Sequence, residues 1–292
     1  MSVSVTTPTG NTNRKRVALV IGAGAVKCAA ALGLWKVLSR EGIALDMLVG
    51  CSGGSLYAAA MALGYDADQC VEMTMRLWNR KVTEKRHWPS LLSAALPQLF
   101  RFSEHFGMVD DGPMVRALQT AFGGRTFADT RLPLYIVATD LRDGEQVVLS
   151  QGKLLDAVRA SSSIPFIWPA WPVGDRLLVD GGVLNPMPVD VAIKEGADII
   201  LAMGFESPYP RRIQSISRYA FHINSLMINN LFRANFAFQN LAHHAEIIPI
   251  MPEFERPIGL FDTDQFPHVI AFGEHAAQAQ MPYIRRLLAA PS

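Results

Sequence analysis

The chain has 292 residues, half of them hydrophobic, and its 27 basic and 26 acidic side chains leave a formal net charge of +1. This composition is typical of a globular protein with a large buried core, and it excludes a disordered chain. A net charge so close to zero gives no reason to expect nucleic acid as a partner.

The N-terminal end combines a polar stretch with a basic cluster. Residues 1–15 are predicted to form a flexible polar arm. The basic cluster 14–16 precedes a long apolar run, as in a signal peptide, but Lys27 in the middle of that run would cost about 2.5–3.5 kcal/mol on membrane insertion. We therefore interpret residues 16–292 as a single folded α/β domain. The three cysteines form no metal-binding or disulfide pattern, which predicts a reducing, cytoplasmic location.

A glycine-containing loop follows the first predicted strand. Residues 16–21 are typical of a buried strand, and apolar side chains recur at helical spacing over residues 31–38. The loop between them consists of Gly22, Ala23, Gly24, Ala25, Val26 and Lys27. It lacks the third glycine and the acidic residue of a dinucleotide site, and also the Gly-Lys-Ser/Thr ending of a P-loop. Nucleotide binding is therefore disfavoured.

A serine lies in the next turn, within Gly50-Cys51-Ser52-Gly53-Gly54. The apolar residues 47–49 predict a buried parallel strand, and the alanine-rich residues 55–63 predict a helix. A G-x-S-x-G pentapeptide in this context places its serine on a sharp strand-to-helix turn, which lifts the hydroxyl out of the sheet. Ser52 is therefore a candidate nucleophile, although glycine-rich turns with a serine also occur without catalysis.

The two strand–loop–helix units predict two adjacent parallel strands, with both loops at one edge of the sheet. The N–H groups of the glycine loop and of Gly53 would then point to the place where a carbonyl oxygen gains negative charge during attack. The dipole of the helix after Ser52 would assist. We therefore predict an oxyanion hole at this edge of the sheet.

The middle of the chain predicts further elements. Residues 66–78 are typical of an amphipathic helix. Residues 87–108 are apolar with few charges, which indicates either a cap over the cleft that shapes an apolar pocket or touches lipid, or a core-packing hairpin of helices. Asp111 is expected to cap the next helix. Strands are predicted over 134–139 and 145–149.

Two later motifs bring polar residues to the ends of predicted elements. Ser161-Ser162-Ser163 follows a predicted helix, and we interpret these hydroxyls as part of a helix end or loop rather than as competing nucleophiles. Asp180-Gly181-Gly182 follows a predicted strand over 177–179. An aspartate at a strand end is suited to act as a general base, but Asp-Gly also initiates turns. Residues 205–292 are predicted to form a mainly helical C-terminal part that includes a strand over 246–251.

Four of these motifs stand in one order along the chain. They are Gly22-x-Gly24-x-x-Lys27, Gly50-x-Ser52-x-Gly54, Ser161-Ser162-Ser163-Ile164-Pro165 and Asp180-Gly181-Gly182. In these motifs and their order, the chain resembles the patatin-like phospholipase family. The resemblance implies a three-layer α/β/α fold with a mainly parallel central sheet and hydrolysis of fatty acyl esters in lipids, without metal or other cofactor. Because no run of the sequence is a convincing membrane span, any membrane contact is expected to be peripheral, through residues 88–106.

The same resemblance assigns roles to individual residues. It implies that Ser52 is the nucleophile, that Asp180 is its base in a two-residue dyad, and that residues 22–27 with Gly53 form the oxyanion loop. Cys28 departs from the family, in which glycine usually follows the basic residue of this loop. If position 28 requires a positive φ, the cysteine strains the loop and lowers catalytic efficiency.

Two other functions stay open on the sequence. One is hydrolysis by a Ser-His-Asp triad that uses a histidine of this chain. The histidines are His87, His105, His222, His243, His244, His268 and His275. The other is a lipid-binding or protein-binding module that has the fold but no chemistry.

Overall fold

The computed structural model of the protein describes residues 14–79, 105–206, 213, 216–242, 244–260 and 262–289. Most of the expected arm (1–15) and most of the expected cap (87–108) lie outside the described residues. The strands are β1 (Val17–Ile21), β2 (Met47–Cys51), β3 (Leu134–Asp140), β4 (Gln146–Leu149), β5 (Trp171–Val173), β6 (Arg176–Asp180), β7 (Ile199–Met203) and β8 (Glu246–Ile250). The α-helices are α1 (Ala30–Arg40), α2 (Gly53–Ala62), α3 (Ala67–Leu77), α4 (Gly112–Phe122), α5 (Leu154–Ser161), α6 (Val189–Lys194), α7 (Ile216–Ala242) and α8 (Phe266–Ala289).

The described strands form one sheet between two layers of helices. Its parallel part has the order β3-β2-β1-β7-β8. Alternate side chains of β1 enter two separate cores, one built with α1, α2 and α8 and the other with α6 and α7. Every residue of β1 is therefore buried, as expected for a parallel strand covered on both faces. The predicted three-layer α/β/α fold and the predicted pairing of β1 with β2 are confirmed.

An antiparallel hairpin of β5 and β6 joins the sheet through the pairing of β6 with the C-terminal part of β3. The sequence predicts β6 but not β5, because β5 has only three residues, one of which is Pro172. So short a strand shows no alternation of polar and apolar residues. At the other edge, β8 pairs with β7, so the C-terminal part of the chain contributes to the same sheet.

The strands β2 and β6 meet end to end along one edge of β3. Cys51, the last residue of β2, pairs with Val137, and Asp180, the last residue of β6, pairs with the next residue, Ala138. The strand β4 occupies the opposite edge of β3, because it pairs with the same β3 residues. Gly181 fits this junction, since a Cβ there would lie 2.3 Å from the carbonyl oxygen of Val137. The turns that follow β2 and β6 are therefore brought together.

Asp111 does not cap α4 with its side chain, contrary to the sequence-based expectation. Its carboxylate instead pairs with Arg159 at 2.7 Å, and the N–H of Gly112 donates to Asp110. The Arg159 side chain is fully buried, and it also donates to Ser163 Oγ at 2.6 Å. A buried guanidinium requires a counter-charge more strongly than a helix end requires a cap, which explains the different use of Asp111.

Candidate active site

Ser52 lies at the apex of a sharp turn between β2 and α2. Its backbone has φ 56° and ψ −132°, a conformation that is strained for any residue with a side chain. The flanking glycines allow the turn to be tight. A Cβ at Gly54 would lie 2.3 Å from the carbonyl oxygen of Ile21, and a Cβ at Gly50 would lie 2.6 Å from Ser55 Cα.

Serines of the 161–163 run hold the backbone of Ser52 in this conformation. The N–H of Ser52 donates to Ser161 Oγ at 2.8 Å, and Ser161 Oγ donates to the carbonyl of Val137 at 2.6 Å. The carbonyl of Ser52 accepts from Ser55 Oγ at 2.6 Å and from Ser162 Oγ at 3.3 Å. The sequence places these serines at a helix end but misses this role, because the partners are 109 and 110 residues apart and leave no local signal.

We expect Ser161→Ala to lower the free energy of unfolding by about 1–3 kcal/mol, because the buried N–H of Ser52 loses its acceptor. Any turnover that depends on Ser52 should fall by about tenfold, since the strained turn loses a support. Urea unfolding and ester hydrolysis measure the two effects. Ser162→Ala is the matched control, and its effect should be smaller because Ser55 also donates to the same carbonyl. Equal effects of the two substitutions would contradict this account.

The side chains of Ser52 and Asp180 are in direct contact. Ser52 Oγ donates to Asp180 Oδ2 at 2.6 Å, and the N–H of Gly182 donates to Asp180 Oδ1 at 2.8 Å. The backbone of Asp180 is also fixed, since its N–H donates to the carbonyl of Ser163 and its carbonyl accepts from Thr139 Oγ1, each at 3.0 Å. The structure thus brings together the two residues that the sequence singles out as nucleophile and base.

Burial changes the acidity of the Asp180 carboxyl. The residue is 2% exposed, and burial raises its pKa to about 7, against the opposing effect of the hydrogen bonds from Ser52 and Gly182. An ordinary aspartate, with a pKa of about 3.9, is a weak base at neutral pH. A carboxylate with a pKa near 7 is much better matched to accept a proton at that pH.

The hydrogen bonds of the glycine loop narrow the set of oxyanion donors. The N–H of Gly22 donates to the carbonyl of Met203 at 3.0 Å, and the N–H of Ala23 donates to the carbonyl of Pro186 at 2.8 Å. Because these two groups are already used, they are not available to a reacting oxygen. This corrects the expectation that the whole run 22–27 supplies donors.

The N–H of Lys27 is used as well, since it donates to the carbonyl of Gly24 at 3.1 Å. Four backbone N–H groups of the loop and the serine turn remain as candidate donors. They belong to Gly24, Ala25, Val26 and Gly53, and none of them donates to another residue that the structure describes. Gly53 packs directly against the loop, since a Cβ there would lie 2.8 Å from the carbonyl oxygen of Ala25. Any larger residue at this position would push the loop and the serine turn apart.

The positive φ that the sequence makes conceivable at Cys28 occurs instead at Ala25, which has φ 52°. Cys28 is part of the short 3₁₀ helix Ala25–Ala29 and is absent from the positive-φ residues. Its thiol donates to the carbonyl of Gly22 at 3.3 Å, and burial raises the pKa of this thiol. Lys27 is also buried, and burial lowers its pKa to about 8, opposed by nearby charge including that of Glu206.

Two chambers open from Ser52. The apolar chamber, about 610 Å³ including its mouth, is lined mainly by Leu56, Tyr57, Trp78, Val158, Trp168 and Phe266. The second chamber, about 470 Å³ including its mouth, is called the polar chamber because Lys27, Asp180, Asn224, Ser225 and Asn229 border it. Apolar side chains such as Phe205 and Ile228 supply much of the rest of its wall. Ala25, Ser52 and Ile164 border both chambers. The α7 residues of the polar chamber were not singled out by the sequence, since an asparagine-containing helix has no catalytic pattern.

The described surroundings of Ser52 contain neither a histidine nor a cluster of metal-binding side chains. Of the histidines within the described ranges, none lines either chamber, and His87 and His243 lie outside those ranges. The described part of the chain contains no cluster of three or more His, Cys, Asp or Glu residues that could hold a metal ion. Nor does a helix in that part have the length and apolarity needed to cross a bilayer.

Comparison with known proteins relates the chain to one family. A family model described as patatin-like phospholipase matches residues 19–193, more than half of the chain. An uncharacterized NTE family protein of Mycobacterium bovis is 30% identical over 179 residues, which are 61% of this chain and 28% of that protein. Human patatin-like phospholipase domain-containing protein 6 is 29% identical over 197 residues, 67% of this chain and 13% of that protein.

Among solved structures, VipD from Legionella pneumophila aligns with a TM-score of 0.48 and 14% identity, and the alignment covers 92% of this chain and 67% of VipD. The chain spans less than a third of the length of the two curated relatives described above. The similarity to those relatives therefore concerns one part of longer proteins.

Proposed function

This chain belongs to the patatin-like phospholipase family, and on that premise we propose that it is a serine lipid acyl hydrolase. It cleaves fatty acyl esters through an acyl-Ser52 intermediate, with Asp180 as the base. The observation that carries this proposal is the 2.6 Å hydrogen bond from Ser52 Oγ to Asp180 Oδ2, made at a strained turn that borders an apolar chamber.

The reaction begins when Ser52 Oγ attacks the carbonyl carbon of the ester. The hydroxyl proton passes to Asp180 Oδ2 as the new C–O bond forms, because a serine hydroxyl is a weak nucleophile until a base removes its proton. The carbonyl oxygen becomes an oxyanion, which the N–H groups of Gly24, Ala25, Val26 or Gly53 can stabilise. The N-terminal end of α2, which follows Ser52, adds a favourable dipole.

The tetrahedral intermediate then collapses. The C–O bond to the alcohol breaks, and the leaving alkoxide takes the proton from Asp180, which leaves an acyl-serine and a free alcohol. Water attacks the acyl-serine as Asp180 accepts its proton, and the second collapse returns that proton to Ser52 Oγ and releases the fatty acid. Asp180 thus serves as base and acid in both halves of the reaction.

The proposed function also includes where the acyl chain binds and where in the cell the protein acts. The apolar chamber suits an acyl chain, because its lining side chains are large and hydrophobic. We further propose that residues 16–292 act as one domain in the cytoplasm, with peripheral contact to lipid surfaces where the substrate resides.

A fluorophosphonate probe tests the enzyme assignment directly, because it labels an activated serine but not an inert one. We expect labelling of the folded protein at Ser52 and turnover of a short-chain chromogenic ester. Mass spectrometry of the labelled peptide identifies the serine. Folded protein that takes up no label and hydrolyses no ester would instead favour a binding module without chemistry.

A further inference from the structure

We propose that the polar chamber is the binding site for the alcohol half of the ester, and that Asn229 selects an oxygen-rich alcohol of the glycerol type there. This inference rests on the proposed function and goes beyond it, because it assigns the two halves of the substrate to two sides of Ser52.

Asp180 determines on which side the alcohol leaves. It borders the polar chamber, whereas the apolar chamber is lined by residues that do not include it. The group that accepts the proton of Ser52 must deliver it to the departing alkoxide, so the alkoxide oxygen has to lie next to Asp180. The alcohol therefore extends into the polar chamber, which leaves the apolar chamber for the acyl chain.

The wall of the polar chamber is suited to an alcohol with several oxygens. Asn224, Ser225 and Asn229 all lie on α7 and border the chamber, and Lys27 borders it from the glycine loop. Amide and hydroxyl groups both donate and accept hydrogen bonds, and an ammonium group donates only. Such a set matches the free hydroxyls of glycerol or the oxygens of a phosphate attached to it.

Asn229 is the sharpest indication of a ligand in this wall. It is 6% exposed, and no hydrogen bond joins its side chain to another residue that the structure describes. Its amide atoms are not among the fully buried polar atoms that lack a partner, so they reach the open space of the chamber, where a bound polar group can use both the donor and the acceptor. A purely apolar alcohol in the same place would leave the amide unsatisfied.

The helix α7, which supplies most of the polar wall, lies outside the part of the chain that matches the family model. The helix spans Ile216–Ala242, beyond residues 19–193 that match the family model. The reacting groups and the glycine loop therefore lie within the matched region, whereas the alcohol-binding wall is supplied from outside it.

The test compares three esters of one fatty acid that differ only in the alcohol: ethyl octanoate, 1-octanoylglycerol and 1-octanoyl-glycero-3-phosphocholine. Asn229→Leu keeps the size of the side chain but removes its hydrogen bonds. We expect kcat/KM to fall by about tenfold for the two glycerol esters and to stay within about twofold for the ethyl ester. A loss confined to the phosphate-bearing ester would identify the phosphate as the group recognised, and an equal loss on both glycerol esters would identify the glycerol hydroxyl.

Asn230→Leu is the matched control, because Asn230 is the next residue on α7 but is exposed and donates to the carbonyl of Leu226 within its own helix. It should change none of the three values. Circular dichroism checks that Asn229→Leu is folded, and Asn229→Ala serves as the second variant if it is not.

The outcomes separate this inference from the proposed function. Hydrolysis of all three esters by the wild type, with an equal effect of the Asn229 variants on each of them or no effect on any, would overturn the inference and leave the proposed function standing. A folded wild-type protein that neither hydrolyses any of the three esters nor reacts with the fluorophosphonate would overturn both.

Discussion

Replacing Ser52 with alanine is expected to abolish ester hydrolysis, with a loss of about 10³-fold or more in kcat/KM, and to leave the protein folded. The loss is large because no other hydroxyl in the described part of the chain combines a strained turn with a hydrogen bond to a buried carboxylate. The fold should survive, since Ser161 holds the backbone N–H of residue 52 whatever its side chain. Turnover of a chromogenic ester and circular dichroism measure the two effects.

The matched control for this experiment is Ser150→Ala, because Ser150 is an exposed serine just after β4. It should retain wild-type turnover and wild-type labelling by fluorophosphonate. If Ser52→Ala were folded and hydrolysed the ester at the wild-type rate, Ser52 would not be the nucleophile. Replacing each histidine in turn would then search for an alternative site, including His87 and His243.

The second large effect that we expect is a pH dependence of kcat/KM that is set by Asp180. Burial raises the pKa of this carboxyl to about 7, and only the ionised form can accept the proton of Ser52. We therefore expect kcat/KM to rise tenfold per pH unit well below pH 7 and to reach a plateau about one unit above it. Asp180→Asn should remove this rise together with about 10³-fold or more of the activity. A pH–rate profile of the wild type that stayed flat from pH 5 to pH 9 would contradict the assignment of Asp180 as the base.

The raised pKa of Asp180 also predicts how the stability of the protein depends on pH, because the folded protein keeps a proton that the unfolded chain loses. Between about pH 4, the ordinary pKa of an unfolded aspartate, and about pH 7, the folded protein binds a proton that the unfolded chain has lost. The contribution of Asp180 to stability is therefore present below pH 4 and is lost as the pH rises through 7. We expect Asp180→Asn to gain stability relative to the wild type over that range, by an amount on the order of a few kcal/mol at pH 8. Urea unfolding of both proteins at pH 5 and at pH 8 measures this gain. If the free energies of unfolding of the two proteins differed by the same amount at both pH values, the pKa of the Asp180 carboxyl would not be raised by folding.

Activity and stability thus place opposite demands on Asp180. In the proposed mechanism the ionised carboxylate accepts the proton of Ser52, but it is the form that burial disfavours. The hydrogen bonds from Ser52 and Gly182 reduce this conflict without removing it. The most stable variant at residue 180 is therefore expected to be an inactive one.

The sequence predicts those features of the fold that local pattern determines. The buried strands β1 and β2, the loops that follow them and their parallel pairing all follow from apolar runs, glycines and the handedness of the crossover. The hairpin strand β5 escapes prediction because three residues carry no period. The position of Asp111 in the sequence is typical of a helix cap, and the sequence does not show that the buried Arg159 requires this carboxylate as its counter-charge.

Some features of the candidate site can likewise be predicted from the sequence, and others cannot. The turn at Ser52 and the acidic strand end at Asp180 are each visible in the sequence, because glycines mark both positions. The support that Ser161 gives to the serine turn is not visible, since it depends on a contact between distant parts of the chain. The use of the N–H groups of Gly22 and Ala23 by neighbouring carbonyls likewise depends on tertiary packing.

The docking of β2 and β6 on β3 also determines when the candidate site forms during folding. Ser52 and Asp180 are separated by 128 positions along the chain, and they touch only when both strands have docked on their common neighbour. Pairings of such long sequence separation form late, because the intervening loop must first be closed. Neither half of the polypeptide made alone holds both groups. On the proposed function, such a half is expected to hydrolyse no lipid, and hydrolysis recovered during renaturation is expected to follow the docking of β2 and β6 on β3.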